Sequence, residues 1–181
     1  MYIARVFRLF FVCLMILSLV LMGLGCQAPA EPVQAATRVI LVRHAEKDGE
    51  TGDVPLAERG QQRAEALAEM LAEANVKAIF ATQFQRTQMT AGPLAEKTGV
   101  PVTTMPINGG AAGHAAEVAA KIRGGDFAGG LVVYVGHSNT IAPILNALGV
   151  ESFAGEADYP QMFLVIWREN IPPEFLILHY N

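Results

Sequence analysis

Residues 38–47 read Arg-Val-Ile-Leu-Val-Arg-His-Ala-Glu-Lys, and no other stretch restricts the fold as much. Val39-Ile40-Leu41-Val42 is an apolar run without polar alternation, the pattern of a strand buried on both faces. Such strands belong to sheets covered by helices on either side. The run breaks at once into Arg43, His44, Glu46 and Lys47. Open α/β sheets hold their ligands just past the C-terminal ends of their strands. An arginine and a histidine side by side at that point suit an anion and a nucleophile. A solvated charged loop after a strand would read the same way, so the rest of the chain has to decide.

The first 37 residues stand apart from that body. Arg5 and Arg8 precede an unbroken apolar run from Leu9 to Met22, and no acidic residue occurs before Glu31. The length fits a signal-peptide core better than a membrane span of about 20 residues. Gly23-Leu24-Gly25-Cys26 resembles a lipoprotein signal, although Gly23 stands where an aliphatic residue is usual. Ala28-Pro29-Ala30 fits ordinary small-x-small cleavage, and an uncleaved N-terminal anchor is a third route. The expected division is a signal peptide over 1–25, a tether over 26–37 and one domain over 38–181. All three routes place the domain outside the cytoplasm, in the periplasm or another extracytoplasmic space, with lipid at Cys26 as one means of membrane attachment.

The body after Cys26 has no cysteine, which removes a disulfide framework, a thiol nucleophile and a thiolate zinc site. Loss of Arg5 and Arg8 with the signal takes the formal charge from −4 to −6. An acidic body argues against non-specific nucleic-acid binding. Any anion site is therefore a local positive pocket. Oligomeric state leaves no sequence signature.

Taken in order, residues 39–42 predict the first strand and 48–55, with Gly49, Gly52 and Pro55, a loop. Residues 56–74 predict a helix whose apolar face carries Leu67, Met70, Leu71 and Ala74. Residues 77–81 predict a second strand. A helix over 86–97 follows, with Pro93 predicting a bend or restart and Gly99 a stop. Residues 100–105 predict a third strand, 107–113 a glycine-rich loop and 115–122 a helix. Residues 131–135 form the clearest buried strand, and a helix runs from there to Leu148. Two late strands, 163–167 and 175–180, flank a turn containing Asn170, Pro172 and Pro173. Strands alternating with helices predict an α/β fold of three layers, a mostly parallel central sheet with helices on both faces.

Three of these strands run into polar residues: Arg43-His44, Arg86 and His137. Parallel strands bring their C-terminal ends to one edge, so two arginines and two histidines can meet in one pocket. Guanidinium groups match phosphate oxygens with a planar fork of donors and stay charged at working pH. A neutral imidazole can attack phosphorus while a protonated one holds an equatorial oxygen. This set favours phosphate over carboxylate or metal.

The residues that carry this chemistry also resemble a known family. Val-Arg-His-Ala-Glu, Gln85-Arg86-Thr87 ahead of Thr90-Ala91-Gly92-Pro93-Leu94-Ala95, and Val135-Gly136-His137-Ser138-Asn139-Thr140 are similar to the histidine phosphatase superfamily, the phosphoglycerate-mutase-like group. Asp53-Val54-Pro55-Leu56 with Gly60 resembles the family's loop into its first helix. The resemblance covers about residues 38–180. It implies a phosphoglycerate-mutase-like fold and a metal-independent phosphatase without a cofactor. His44 would carry a phosphohistidine intermediate, Arg43 and Arg86 would bind phosphoryl oxygens, and His137 would be the second pocket histidine. Asn139 and Thr140 would bind phosphate or begin the helix. The substrate would be a phosphorylated small molecule or a phosphoprotein.

Three departures from the family pattern stand out. Ala45 replaces a usual glycine, and Ala57 replaces a capping Ser or Thr. Residues 105–113 hold no carboxylate where larger members supply a general acid, so Glu117 and His114 are the nearest candidates. A form without a dedicated acid suits good leaving groups such as phosphohistidine and phosphoanhydride.

Two other function classes stay open at this point. Gly136-His137-Ser138-Asn139-Thr140 resembles the nucleophile elbow of serine hydrolases, with Asp158 and His179 following in order. Thr140 crowds the turn that normally closes on glycine there, and that reading gives Arg43, His44 and Arg86 no work. The other class is a phosphate-ligand binding lipoprotein that keeps the pocket with little or no turnover.

Overall fold

The computed structural model describes residues 35–180, and these belong to a compact unit assigned to Gln34–Asn181. The signal core, the Cys26 and Ala28 processing motifs and nearly all of the tether lie outside the described residues. Thr37, expected at the tether's end, is buried and opens the first strand.

In chain order the elements are β1 (Thr37–Arg43), α1 (Glu58–Leu71), β2 (Val76–Ala81), α2 (Gln85–Thr98) and β3 (Val102–Thr104), then α3 (Gly110–Gly124), β4 (Leu131–Gly136), α4 (Ser138–Ala147), β5 (Gln161–Arg168) and β6 (Ile171–His179). One six-stranded sheet holds them in the order β3-β2-β4-β1-β5-β6. β1 runs parallel to β4, with Val39 opposite Val132 and Arg43 opposite Gly136. β2 is parallel to both β4 and β3. β5 and β6 are antiparallel, so the sheet is mixed, with a parallel majority.

The apolar run of β1 works as its pattern requires. Val39 and Leu41 face one layer, packed with Val118 and Ile122 of α3 and Ile141, Ile144 and Leu145 of α4. Ile40 and Val42 face the other, with Leu67 and Leu71 of α1 and Ala91 and Leu94 of α2. Each such side chain contributes about 1.5–3 kcal/mol relative to exposure. Helices therefore cover both faces of the sheet, as expected.

The local differences have physical reasons. The first helix begins at Glu58, because Leu56 is held in an antiparallel bridge to Lys47. Its N-cap, Ala57, makes no side-chain cap bond, so α1 starts without one. The buried face is Gly60, Arg63, Ala64, Leu67, Ala68 and Leu71, while Met70 is 49% exposed. α2 passes through Pro93 without a restart and ends on Gly99 in the left-handed conformation, φ 71°. α3 starts at Gly110, five residues earlier than the composition indicated. Pro172 and Pro173 lie inside β6 rather than in its turn, which Asn170 makes at φ 60°. Proline is tolerated there because β6 is the edge strand.

Candidate active site

Arg43 ends β1, and His44 follows it with its backbone N–H donating to Gly136 O at 2.8 Å. His137 follows β4, and Arg86 is the second residue of α2 after β2. The parallel order β2-β4-β1 puts all four on one sheet edge. They line one open cavity of about 470 Å³, together with Lys47, Phe84, Ile107, Ser138, Asn139 and Glu156. The His44 and His137 rings stand edge to face, 5.3 Å between centroids.

The loop that carries His44 is clamped from two sides. Ala45 N–H donates to Thr90 Oγ1 at 3.0 Å, and Thr90 Oγ1 donates to Arg86 O at 2.7 Å, so α2 fixes both the loop and its own arginine. From α1, Arg63 donates from Nε and Nη2 to the Glu46 carboxylate at 2.9–3.1 Å, and from Nη1 to Tyr180 O at 2.8 Å. A Cβ on Gly60 would lie 2.1 Å from Glu46 O, so only glycine lets α1 come this close. On the far side of α2's start, Asp53 Oδ1 accepts the Gln85 N–H at 2.8 Å and lies 3.9 Å from Arg86.

The ring orientation of His44 decides its chemistry. Nδ1 lies 2.7 Å from Ala45 O. A carbonyl only accepts, so Nδ1 carries the proton and Nε2 keeps its lone pair. Burial, opposed by that backbone bond and aided by Arg86, Arg43 and Lys47, lowers the His44 pKa to about 4. The imidazole is thus neutral, oriented and nucleophilic near neutral pH. Burial, with Arg86 and His44 next in effect, lowers His137 to about 3.

Arg43 stacks on Tyr159, 4.0 Å from guanidinium carbon to ring centroid, and donates to Ala157 O at 3.3 Å. Its Nε is buried without a partner among the described residues, a donor that an oxyanion would satisfy. Arg86 stacks on Phe84 at 4.5 Å. Two guanidinium groups, each held by an aromatic ring beside a neutral imidazole, suit a phosphoryl group accepting in-line attack.

Residues 39–107 match the family model described as "Histidine phosphatase superfamily (branch 1)", and this span includes Arg43, His44 and Arg86. Over those residues the chain is similar to that superfamily. Solved histidine-phosphatase-fold structures superpose on it at low identity. Mycobacterial glucosyl-3-phosphoglycerate phosphatase gives a TM-score of 0.65 at 19% identity, covering 81% of this chain and 100% of its own. An Escherichia coli protein described as an alpha-ribazole-5'-P phosphatase gives 0.65 at 15%, covering 80% and 97%. The protein histidine phosphatase SixA, solved with tungstate, gives 0.63 at 15%, covering 78% and 96%. No curated protein matches the chain by sequence.

The remaining candidates fall as follows. Asn139 is exposed at the pocket wall. Thr140 is buried and caps α4, its Oγ1 accepting the His137 N–H at 2.9 Å. The structure does not bring His114 or Glu117 to the pocket lining. His114 is fully buried on the inner face of α3, with Nε2 2.7 Å from Tyr134 Oη and Nδ1 3.3 Å from Pro106 O. Glu117 is exposed on α3. Ser138 lines the pocket, but His179 lies exposed on β6, three strands from β4, where it pairs with Gln161. The segment 156–159 is the wall that sequence reasoning missed. It brings Glu156 to the lining and Tyr159 to Arg43, and it is pinned by Ala157 N–H donating to Ser138 O at 3.2 Å. Its one sequence signal was an aromatic residue beside two acids just before β5.

Proposed function

We propose that the domain is a phosphatase that works through a phosphohistidine on His44, without metal. The observation that carries this is the His44–Ala45 contact, which commits the Nδ1 proton and turns the Nε2 lone pair toward a pocket with two guanidinium groups. Nε2 attacks phosphorus and the P–O bond to the leaving group breaks. The leaving oxygen takes a proton, and the Ala45 carbonyl stabilises the cationic ring that forms. Water then attacks the phosphohistidine, phosphate departs and His44 returns neutral. Arg43 and Arg86 hold the equatorial oxygens throughout, and Asn139 lies within the same cavity. Glu156 is the carboxylate among the lining residues and is placed to exchange a proton with the leaving group or the attacking water.

The substrate is a phosphomonoester or a phosphorylated side chain. The named activities of the structural relatives span both, a sugar-linked phosphoglycerate and a phosphohistidine protein. An open cavity near 470 Å³ without a long covering insertion suits either. From the leader pattern we also infer export, to the periplasm or another extracytoplasmic space, with ordinary cleavage or lipid on Cys26 completing it. Acidic net charge makes nucleic acid a poor partner.

The test is an alkaline rapid quench of the full chain with p-nitrophenyl phosphate, followed by mass spectrometry. Phosphate on His44, absent in His44→Ala, is the expected result. Turnover without an adduct on His44 refutes the mechanism. Tight phosphate binding with no turnover on any donor supports a binding lipoprotein instead, and labelling of Ser138 by a fluorophosphonate with loss of activity supports a serine hydrolase.

A further inference from the structure

Thr82, immediately after β2, is fully buried and takes no direct part in the chemistry above. Its Oγ1 lies 2.9 Å from His137 Nε2 and 2.9 Å from Thr87 Oγ1. Thr87 Oγ1 donates to backbone carbonyls, Phe84 O at 2.7 Å and Thr82 O at 2.9 Å. Its one proton is thus committed, and it accepts from Thr82. Thr82's own proton is then committed too, so its oxygen accepts from His137 Nε2–H. The other side of the ring agrees. Arg86 Nη2 lies 3.4 Å from His137 Nδ1, and a guanidinium only donates. Both contacts require the same tautomer: proton on Nε2, lone pair on Nδ1.

This tautomer is unsuited to an anion. Nδ1, the nitrogen on the Arg86 side of the ring, carries a lone pair, which repels a phosphoryl oxygen. His137 becomes a donor there only with a second proton on Nδ1, Nε2–H remaining on Thr82. The groups facing the ring are Arg86 from α2, Arg43 and His44 at the end of β1, and His114 from α3, with Lys47 and Glu156 at the cavity wall. The cations among them, together with burial, keep the empty site's imidazole neutral. A bound dianion reverses that field.

We propose that the site takes up a phosphoryl dianion together with one proton, which goes to Nδ1 of His137, and that Thr82 is the positioning residue that makes this coupling obligatory. The inference rests on the phosphoryl-binding reading above and adds the proton and the residue that enforces it. The balance is one free dianion and one solvent proton in, with the proton released when phosphate leaves. Affinity for the dianion accordingly falls about tenfold per pH unit above neutrality.

Calorimetry of inorganic phosphate binding to the full chain, in buffers of different ionisation enthalpy, reads the coupling directly. At about pH 8.5 the ligand is the dianion, since phosphoryl groups lose their second proton near pH 6 to 7. Wild type and Thr82→Ser take up about one proton per phosphate. Thr82→Val lets the ring place its single proton on Nδ1, so it binds with uptake near zero. Wild-type binding without uptake, or Thr82→Val with full uptake, overturns the proposal. Absence of phosphate binding in wild type instead refutes the phosphatase reading beneath it. If Thr82→Val does not fold, the ¹⁵N shifts of His137 in the unliganded wild type decide. A proton on Nε2 supports the proposal, and one on Nδ1 overturns it.

Discussion

Replacing Arg63 by methionine removes the link between α1 and the loop that carries His44, at nearly constant side-chain length. In the native protein the Arg63 side chain is 5% exposed and the Glu46 side chain 17%. Breaking a buried pair by removing one partner typically costs about 3–5 kcal/mol. Here Glu46 keeps Arg59 at 3.2 Å and some water, which lowers the expected cost to about 2–3 kcal/mol. With a urea slope of about 1–3 kcal/mol per molar, the midpoint falls by about 0.7–3 M. Burial pushes the Glu46 pKa up, but the hydrogen bonds and charge of Arg63 outweigh it and leave it below the usual value. A carboxylate depressed on folding stabilises above its unfolded pKa, and that stability is lost as pH falls through the folded one. The gap between wild type and Arg63→Met is therefore full at pH 7 and narrows below about pH 4.5. Glu46→Gln in the Arg63→Met background should restore part of the loss, since it removes the uncompensated charge. A loss below about 0.5 kcal/mol, within the range of ordinary surface changes, or one that does not vary with pH, refutes the ion-pair account.

Gly60→Ala drives a Cβ into Glu46 O, so α1 must separate from the loop. Turnover should drop at least about tenfold, with destabilisation of about 1–3 kcal/mol as for overpacking, and unchanged activity and melting would count against the close approach. The pH profile of kcat/KM should show an acid limb near pH 4, where His44 gains a proton, and none near the usual 6.5. Both histidines are depressed on folding, so stability falls as pH drops below about 6.5, the value they regain when unfolded. An acid-limb midpoint of kcat/KM at 6.5 would mean that burial does not set the protonation of His44.

Arg43, His44, Arg86 and His137 were legible because each follows an apolar run that period and length identify as a buried strand. Parallel pairing then carries them to one edge, a consequence of topology and not of sequence distance. What sequence concealed depends on contacts between remote segments. Arg63 sits on the buried face of α1 because Glu46 and Tyr180 O meet it there. Helical spacing puts Met70 with Leu67 and Leu71, yet it falls at the margin of the buried face and is exposed. His114 lies buried because Tyr134, an aromatic in an otherwise aliphatic strand, offers it a hydroxyl. Residues 156–159 contribute to the site only through the antiparallel placement of β5 beside β1.

That placement has a consequence for how the molecule comes into being. β1 is the first strand of the described chain, yet its two neighbours, β4 and β5, are synthesised about 90 and 120 residues later. Contacts of such sequence separation close late and slowly. β1 therefore waits, apolar and unpaired on both sides, until most of the polypeptide is available, and Arg63 waits for Tyr180. A nascent chain that still lacks β4 and β5 has no assembled pocket. In that interval Val39–Val42 is the segment that a holdase would need to shield.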